Sequence, residues 1–520
     1  MDPQLTTTIA ATLLLLLITT LFLLLRRPSG AATTLPPSPP RRLPILGHLH
    51  HLLLTSSPPH HTLHSLSRSL HRPIMHLSLG QIPTIVVSSA GLARDVLKTH
   101  DHVFCDRPRL VSAQYLSFGW SDVTFSPYGK YWRNARRICV TELLSGRAVA
   151  GFGSVRGEET ARLVEAVKGR VGTQVDLSEL LFALANDVVC RAAFGRRFEG
   201  GGGGLVDVLT ETQELFAGFC LGDFFPRWRW LDVMTGYRKR LERNLSDLRR
   251  VCDEIIQEHL MKNKENGGDE GEDFVDVLLR VQRQEDLEVP ITDDNLKALV
   301  MDMFVAGTDT TSSTLEWVMT ELARHPLAMK MAQEEVRRVA SKGGGGKGGG
   351  GVEESHLQEL HYMKAAIKEG MRIHPPVPLL VPRESMESCK LDGYDIPART
   401  RVLINTYRIG RDPESWDDPL EFRPERFLNT DIDFKGQDFR FLPFGGGRRG
   451  CPGFSFGIAT VEFALARLLY HFDWELPPGV EADTMDLSET FGLATRKKTP
   501  LVLVPKLNKD YPIRGQIFDQ

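Results

Sequence analysis

Phe444-Gly445-Gly446-Gly447-Arg448-Arg449-Gly450-Cys451-Pro452-Gly453 runs into a largely apolar stretch, Phe454 to Tyr470. Glycines let a backbone fold tightly round a sulfur and turn amide N–H groups towards it. The apolar stretch has the length and composition of a helix, whose positive end would lie just past Cys451. Both effects favour thiolate over thiol, and the thiolate is the form that binds iron. Taken alone, such a run could be a flexible glycine loop beside a buried cysteine. Glycine, arginine and cysteine at this spacing point instead to a single cysteine presented as a metal ligand.

Outward from that loop the chain reads as mostly helix with a few short strands. Helical patterns fall at 90–100, 128–144, 155–171, 178–194, 205–216, 234–262, 292–325, 327–340 and 359–373. Strand-like runs fall at 74–79, 82–88, 401–406 and 500–504. The longest helical pattern has Thr292 as its N-cap and stops before Pro326, a length of about 48 Å. Its middle, Ala306-Gly307-Thr308-Asp309-Thr310-Thr311, sets an acid and hydroxyls among Leu, Val, Met and Phe. Such groups are costly to bury unless hydrogen-bonded, and a Thr hydroxyl bonding back to its own helix can loosen a turn.

Three weaker patterns accompany it. Glu369 and Arg372 stand at i and i+3 on one helix face, which is in itself a routine ion pair. Trp132 and Arg136 stand at i and i+4, with Arg133 and Arg137 on the same helix. Pro424-Glu425-Arg426-Phe427 precedes the cysteine loop and alone would pass for an ordinary turn. Together with the cysteine run, these pieces resemble the cytochrome P450 family. Phe444, Gly445, Gly447, Arg449, Cys451 and Gly453 fill every fixed position of its haem-loop pattern. Within the family the chain is similar to the plant microsomal type.

The resemblance implies a mainly α fold with small β-sheets, the cytochrome P450 fold, with haem b between the Asp309 helix and the Cys451 loop. It implies Cys451 as iron ligand and O2 as cosubstrate. NADPH would supply electrons through a cytochrome P450 reductase, for which Arg133 and Arg137 offer a basic face. Asp309 and Thr310 correspond to the family's acid–alcohol pair for proton delivery. Trp132, Arg136, Arg449 and Arg383 correspond to its haem-propionate contacts. Glu369, Arg372 and Arg426 correspond to a buried network locking the cysteine loop. The family layout places Leu116, Phe118, Val305, Ala306, Val377, Leu380 and Phe491, in the turn 491–493, around a pocket for a lipophilic substrate such as a terpenoid or phenolic. Two other activities fit the same fold: an isomerase or dehydratase working without reductase, and a non-enzymatic haem sensor. The intact Asp309-Thr310 pair argues against the first, and the lack of a recognisable signalling domain argues against the second.

Composition adds location. A net charge of −3 with 25% charged residues gives no sign of nucleic-acid binding. Seven scattered cysteines without a CxxC pair argue for a reducing compartment. Ile9 to Leu25 carries no charge, and Arg26-Arg27 follow directly. This predicts a single-pass anchor in the endoplasmic reticulum membrane with the body in the cytosol. A cleaved signal peptide is the competing reading, weakened by the absence of a basic start. Leu35-Pro-Pro-Ser-Pro-Pro40 predicts a stiff spacer. The expected organisation is anchor 1–27, proline-rich hinge 28–47 and catalytic domain 48–520. The glycine runs 200–204 and 343–351 lack the Lys-Ser/Thr ending of a phosphate-binding loop and read as surface loops. His60, His61 and His64 put imidazoles at i and i+4 without an HExxH acid, which predicts a solvated helix near the membrane rather than a zinc site.

Overall fold

The long helical pattern becomes the axis of the molecule. Thr292 caps it reciprocally: its hydroxyl accepts the Asn295 N–H (3.2 Å), and the Asn295 side chain accepts the Thr292 N–H (3.0 Å). The helix then runs unbroken over Asp293–Arg324, and Pro326 opens the next one. It is buried on nearly every side from Leu296 to Leu322, its polar middle included. Helices Leu177–Phe194, His361–Ile373 and Phe454–His471 pack against it. Glycines permit two of these approaches: a Cβ on Gly307 would stand 3.0 Å from Val189 Cγ2, and one on Gly370 2.7 Å from Val318 Cγ2.

This computed structural model describes residue 12 and residues 34–198, 205–217, 220–265, 272–284, 288–342, 351–492 and 494–508. The predicted anchor, apart from Thr12, lies outside the described residues, as do Leu493 and most of the glycine runs. Among the described residues no helix is long and apolar enough to cross a membrane.

One four-stranded sheet flanks the helices. Ile74–Leu79 pairs antiparallel with Ile82–Val87, which pairs parallel with Arg401–Ile404, and Arg383–Glu384 closes that edge antiparallel. Val175–Asp176, Val502–Leu507 and Phe472–Glu475 form a second sheet. From residue 34 the proline-rich segment lies against the body: the His76 N–H donates to the Pro37 carbonyl (2.9 Å), and Gly47 bridges to Leu79. Gly47 has φ +61°, and a Cβ there would meet the Ser78 carbonyl oxygen at 2.2 Å. The hinge therefore ends in a fastening that holds it to the sheet.

The predicted helices form with small differences. The patterns at 90–100 and 128–144 each divide into an α-helical part and a five-residue π-helical turn, Asp95–Thr99 and Cys139–Leu143. Strands such as Val175–Asp176 and Glu489–Thr490 were not predicted, because two residues carry no periodicity. The histidine-bearing segment forms the helix Pro59–Leu70, but its histidine face is not fully solvated: His60 is fully buried, and His61 and His64 are half-buried.

Candidate active site

The cysteine loop is a tight turn held by its own backbone. The Cys451 N–H donates to the Phe444 carbonyl (2.9 Å), while Gly445 and Gly447 both take φ +66°. A Cβ on Gly447 would stand 2.3 Å from the Leu97 carbonyl oxygen and 2.6 Å from Asp101 Oδ1, so this position requires glycine. Phe454–His471 starts three residues past the cysteine. Burial raises the Cys451 pKa; the N–H groups of Gly453 and Phe454 and the charge of Arg136 pull it back down. The amide and guanidinium contributions expected to favour thiolate are thus present and act against desolvation.

Cys451 opens onto a cavity of about 660 Å³, within the range for small-molecule sites. Phe444, Gly445 and Gly453 line it beside the sulfur, and Val305, Ala306, Gly307 and Thr310 line it from the central helix. Leu116, Val377, Leu380 and Phe491 complete walls that are mostly apolar. Phe118 is not among the lining residues. It is buried with φ +50° and packs under the Arg249 guanidinium at 5.2 Å.

Five arginines also line this cavity: Arg107, Arg136, Arg383, Arg401 and Arg449. Arg136 donates to the Gly450 carbonyl (2.6 Å), and Arg383 donates to Gly446 O (2.8 Å) and Asp101 (3.1 Å). Arg449 donates to the carbonyls of Cys105, Val123 and Ser126. Trp132 does not line the cavity. Its indole N–H donates to Val123 O (3.0 Å), and its ring lies 4.1 Å under Arg449, which it orients. Burial lowers the pKa of all five arginines. The charge of Arg383 adds to the effect on Arg449, which comes down to about 10. Like charges gathered in a buried space favour an anionic ligand.

Sequence reasoning missed Arg107 and Asp101. Asp101 accepts from Arg383, from the Arg448 N–H (3.0 Å) and from the Arg448 side chain (2.9 Å), so it ties the cysteine loop to the sheet edge. It also missed Asp302, whose carboxylate accepts the N–H groups of Val123 (2.9 Å) and Thr124 (3.1 Å) and fixes the loop above Trp132. An acid in so apolar a helix was the available signal.

The central-helix pair divides. Thr310 faces the cavity, and its hydroxyl donates to Ala306 O (2.8 Å), as the notch reading anticipated. Asp309 does not line the cavity: it forms an ion pair with Arg496, which lies over the Phe182 ring at 4.6 Å. Burial raises the Asp309 pKa, and Arg496 opposes that rise.

Glu369, Arg372 and Arg426 do meet. Arg372 donates twice to Glu369 (2.7 and 2.8 Å), and Arg426 donates to the same carboxylate (2.8 Å). Arg372 also reaches the carbonyls of Gly410, Pro419 and Glu421. These bonds hold the segment 410–427 and reach the cysteine loop indirectly, through Phe427 packed on Phe441 at 5.0 Å.

A family model described as Cytochrome P450 matches residues 36–504. The chain is 56% identical over 482 residues to a tryptamine 5-hydroxylase of Oryza sativa subsp. japonica, covering 91% of this chain and 90% of that protein. It is 44% identical over 449 residues to a premnaspirodiene oxygenase of Hyoscyamus muticus, covering 86% and 88%. Among solved structures it resembles a zebra fish cytochrome P450 with abiraterone, at TM-score 0.72 and 28% identity, covering 87% of this chain and 99% of that one.

Proposed function

The chain belongs to the cytochrome P450 family, and from that premise we propose that it is a membrane-anchored, reductase-dependent haem-thiolate monooxygenase of a lipophilic specialised metabolite. The observation that carries the reading is the Cys451 sulfur opening onto an apolar cavity that also gathers five buried or half-buried arginines. A flat iron porphyrin with two carboxylates fits that donor set: one soft anionic ligand for the metal, and guanidiniums whose crowding the carboxylates relieve. Cys451 would hold the iron, and Arg136, Arg383 and Arg449 the propionates. When bound, the haem supplies activation of O2 for insertion of one oxygen atom into a substrate bond.

The chain's own residues bind, orient and handle protons. Val305, Ala306, Val377, Leu380 and Phe491 exclude water and hold the substrate by apolar contact. The Thr310 hydroxyl, facing the cavity, is placed to pass a proton or orient a water there. Asp309 serves as the proton source only once its carboxyl leaves Arg496.

NADPH–cytochrome P450 reductase is the proposed electron donor. Arg133 and Arg137 support this, since they are exposed on the helix whose other face carries Trp132 and Arg136. Attachment to the endoplasmic reticulum membrane rests on the Ile9–Leu25 sequence. Exposed Leu53, Leu54, Trp230, Val233 and Met234 add to it, on two segments joined through Gly80 and Gln81. We further propose residues 1–27 as anchor, 28–47 as hinge and 48–520 as catalytic domain.

Tryptamine, named in the relative at 56% identity, is the first substrate to test. NADPH consumption by the full-length protein with reductase should rise on adding tryptamine, an indole ethylamine, or a member of a separate terpenoid and phenolic panel, with a product heavier by one oxygen. Product formation without NADPH and reductase would instead identify an isomerase or dehydratase of the same fold.

A further inference from the structure

The structure supplies what the histidine sequence lacks, a carboxylate. His60 and His61 begin the helix Pro59–Leu70, and Glu489 comes from the C-terminal hairpin formed by Glu489–Thr490 and Arg496–Lys497. His60 Nε2 lies 2.7 Å from Glu489 Oε2. His61 Nε2 lies 3.1 Å from the same oxygen, without the alignment of a hydrogen bond. One ligand atom from each of the three residues falls within 4.8 Å of the others.

We propose that His60, His61 and Glu489 form a zinc site that clamps the N-terminal helix to the C-terminal hairpin. Two imidazoles and one carboxylate are a ligand set that zinc accepts, leaving a fourth position open. His374 stands near the other oxygen of the Glu489 carboxylate. Its Nε2 is held by Glu321 Oε1 at 2.8 Å, while its buried Nδ1 has no hydrogen-bond partner among the described residues and lies 3.8 Å from Glu489 Oε1. An imidazole fixed by a carboxylate on one nitrogen and open on the other is how proteins orient histidine ligands. Glu489 is almost wholly buried, whereas His61 is partly exposed and gives a path of entry. Arg411, stacked on Tyr407 at 3.7 Å, opposes a cation here; the Glu489 carboxylate supplies the compensating charge.

The clamp would act on the substrate cavity. Pro59 and Leu63 from the helix and Phe491 and Gly492 from the hairpin all line it, so the metal would pin two walls together beside the haem chamber. This site is independent of the iron and of the proposed activity.

The test uses full-length, haem-loaded protein equilibrated with zinc and dialysed against metal-free buffer. Elemental analysis should find one zinc per chain beside one iron, and X-ray absorption at the zinc edge should report nitrogen and oxygen ligands including imidazole. His61→Ala and Glu489→Gln should each weaken zinc binding at least about tenfold with iron content unchanged. Substituting both His50 and His51 with Ala should leave zinc binding as it was. Substoichiometric zinc in the unaltered protein would overturn the proposal, showing a hydrogen-bonded cluster only. Zinc lost with His50 and His51, but kept in Glu489→Gln, would also overturn it.

Discussion

Asp309 shows how far a residue's role depends on a partner distant in sequence. Its carboxyl, raised by burial, is pulled back by Arg496, 187 residues away. An acid whose pKa is higher folded than unfolded contributes most below the unfolded value, about 3.9, and loses that contribution as pH rises through the folded value. Without Arg496 the carboxyl rises further and the loss grows. Arg496→Gln should therefore destabilise the protein at neutral pH by about 1–3 kcal/mol, with the gap to wild type closing as pH falls towards about 4. Thermal unfolding across that range reads it, and a pH-independent gap would mean that the ion pair does not govern Asp309. Cys451 was legible from the local spacing of its loop, whereas Glu369 and Thr310 were singled out by the family resemblance. Asp101, Arg107 and Arg496 were not, because each acts on groups brought near only by the fold. Phe118 was misplaced for the converse reason: family layout put it at the cavity, while its left-handed backbone turns it under Arg249.

Single elements were the most legible scale. The central helix announced its cap, its length and its polar middle, and it forms as expected because each signal is local. Burial of the histidine helix was hidden, since its cover comes from Tyr407 and the Glu489 hairpin, more than 300 residues downstream. The Glu369 helix carries a prediction of its own. Its acid receives three guanidinium hydrogen bonds and is fully buried, so Glu369→Gln removes a charge that Arg372 and Arg426 both need. Breaking such a pair costs about 3–5 kcal/mol. The variant should purify with a low ratio of haem to protein and a lowered unfolding temperature. The fraction that retains haem should turn over near the normal rate, because the network touches no substrate. A fully loaded but slow variant would assign Glu369 a role in the reaction instead.

At the scale of the whole molecule, the fold places an apolar chamber between one long helix and one cysteine loop and surrounds the chamber with buried arginines. Ala306 faces the chamber across from the loop, so Ala306→Phe should fill space a substrate needs. For a substrate of drug-like size, kcat/KM should drop at least about tenfold, or ~1.4 kcal/mol, with haem content unchanged. Unchanged kinetics would place the substrate elsewhere.

The central claim is that Cys451 holds a haem iron as thiolate. The most direct test is the carbon monoxide difference spectrum of the dithionite-reduced full-length protein, recorded beside Cys451→Ala. The expected result is the red-shifted Soret band of a thiolate-ligated haem in the wild type and its loss in the variant. A folded wild type that binds haem without that band, or the same band surviving in Cys451→Ala, would contradict the assignment.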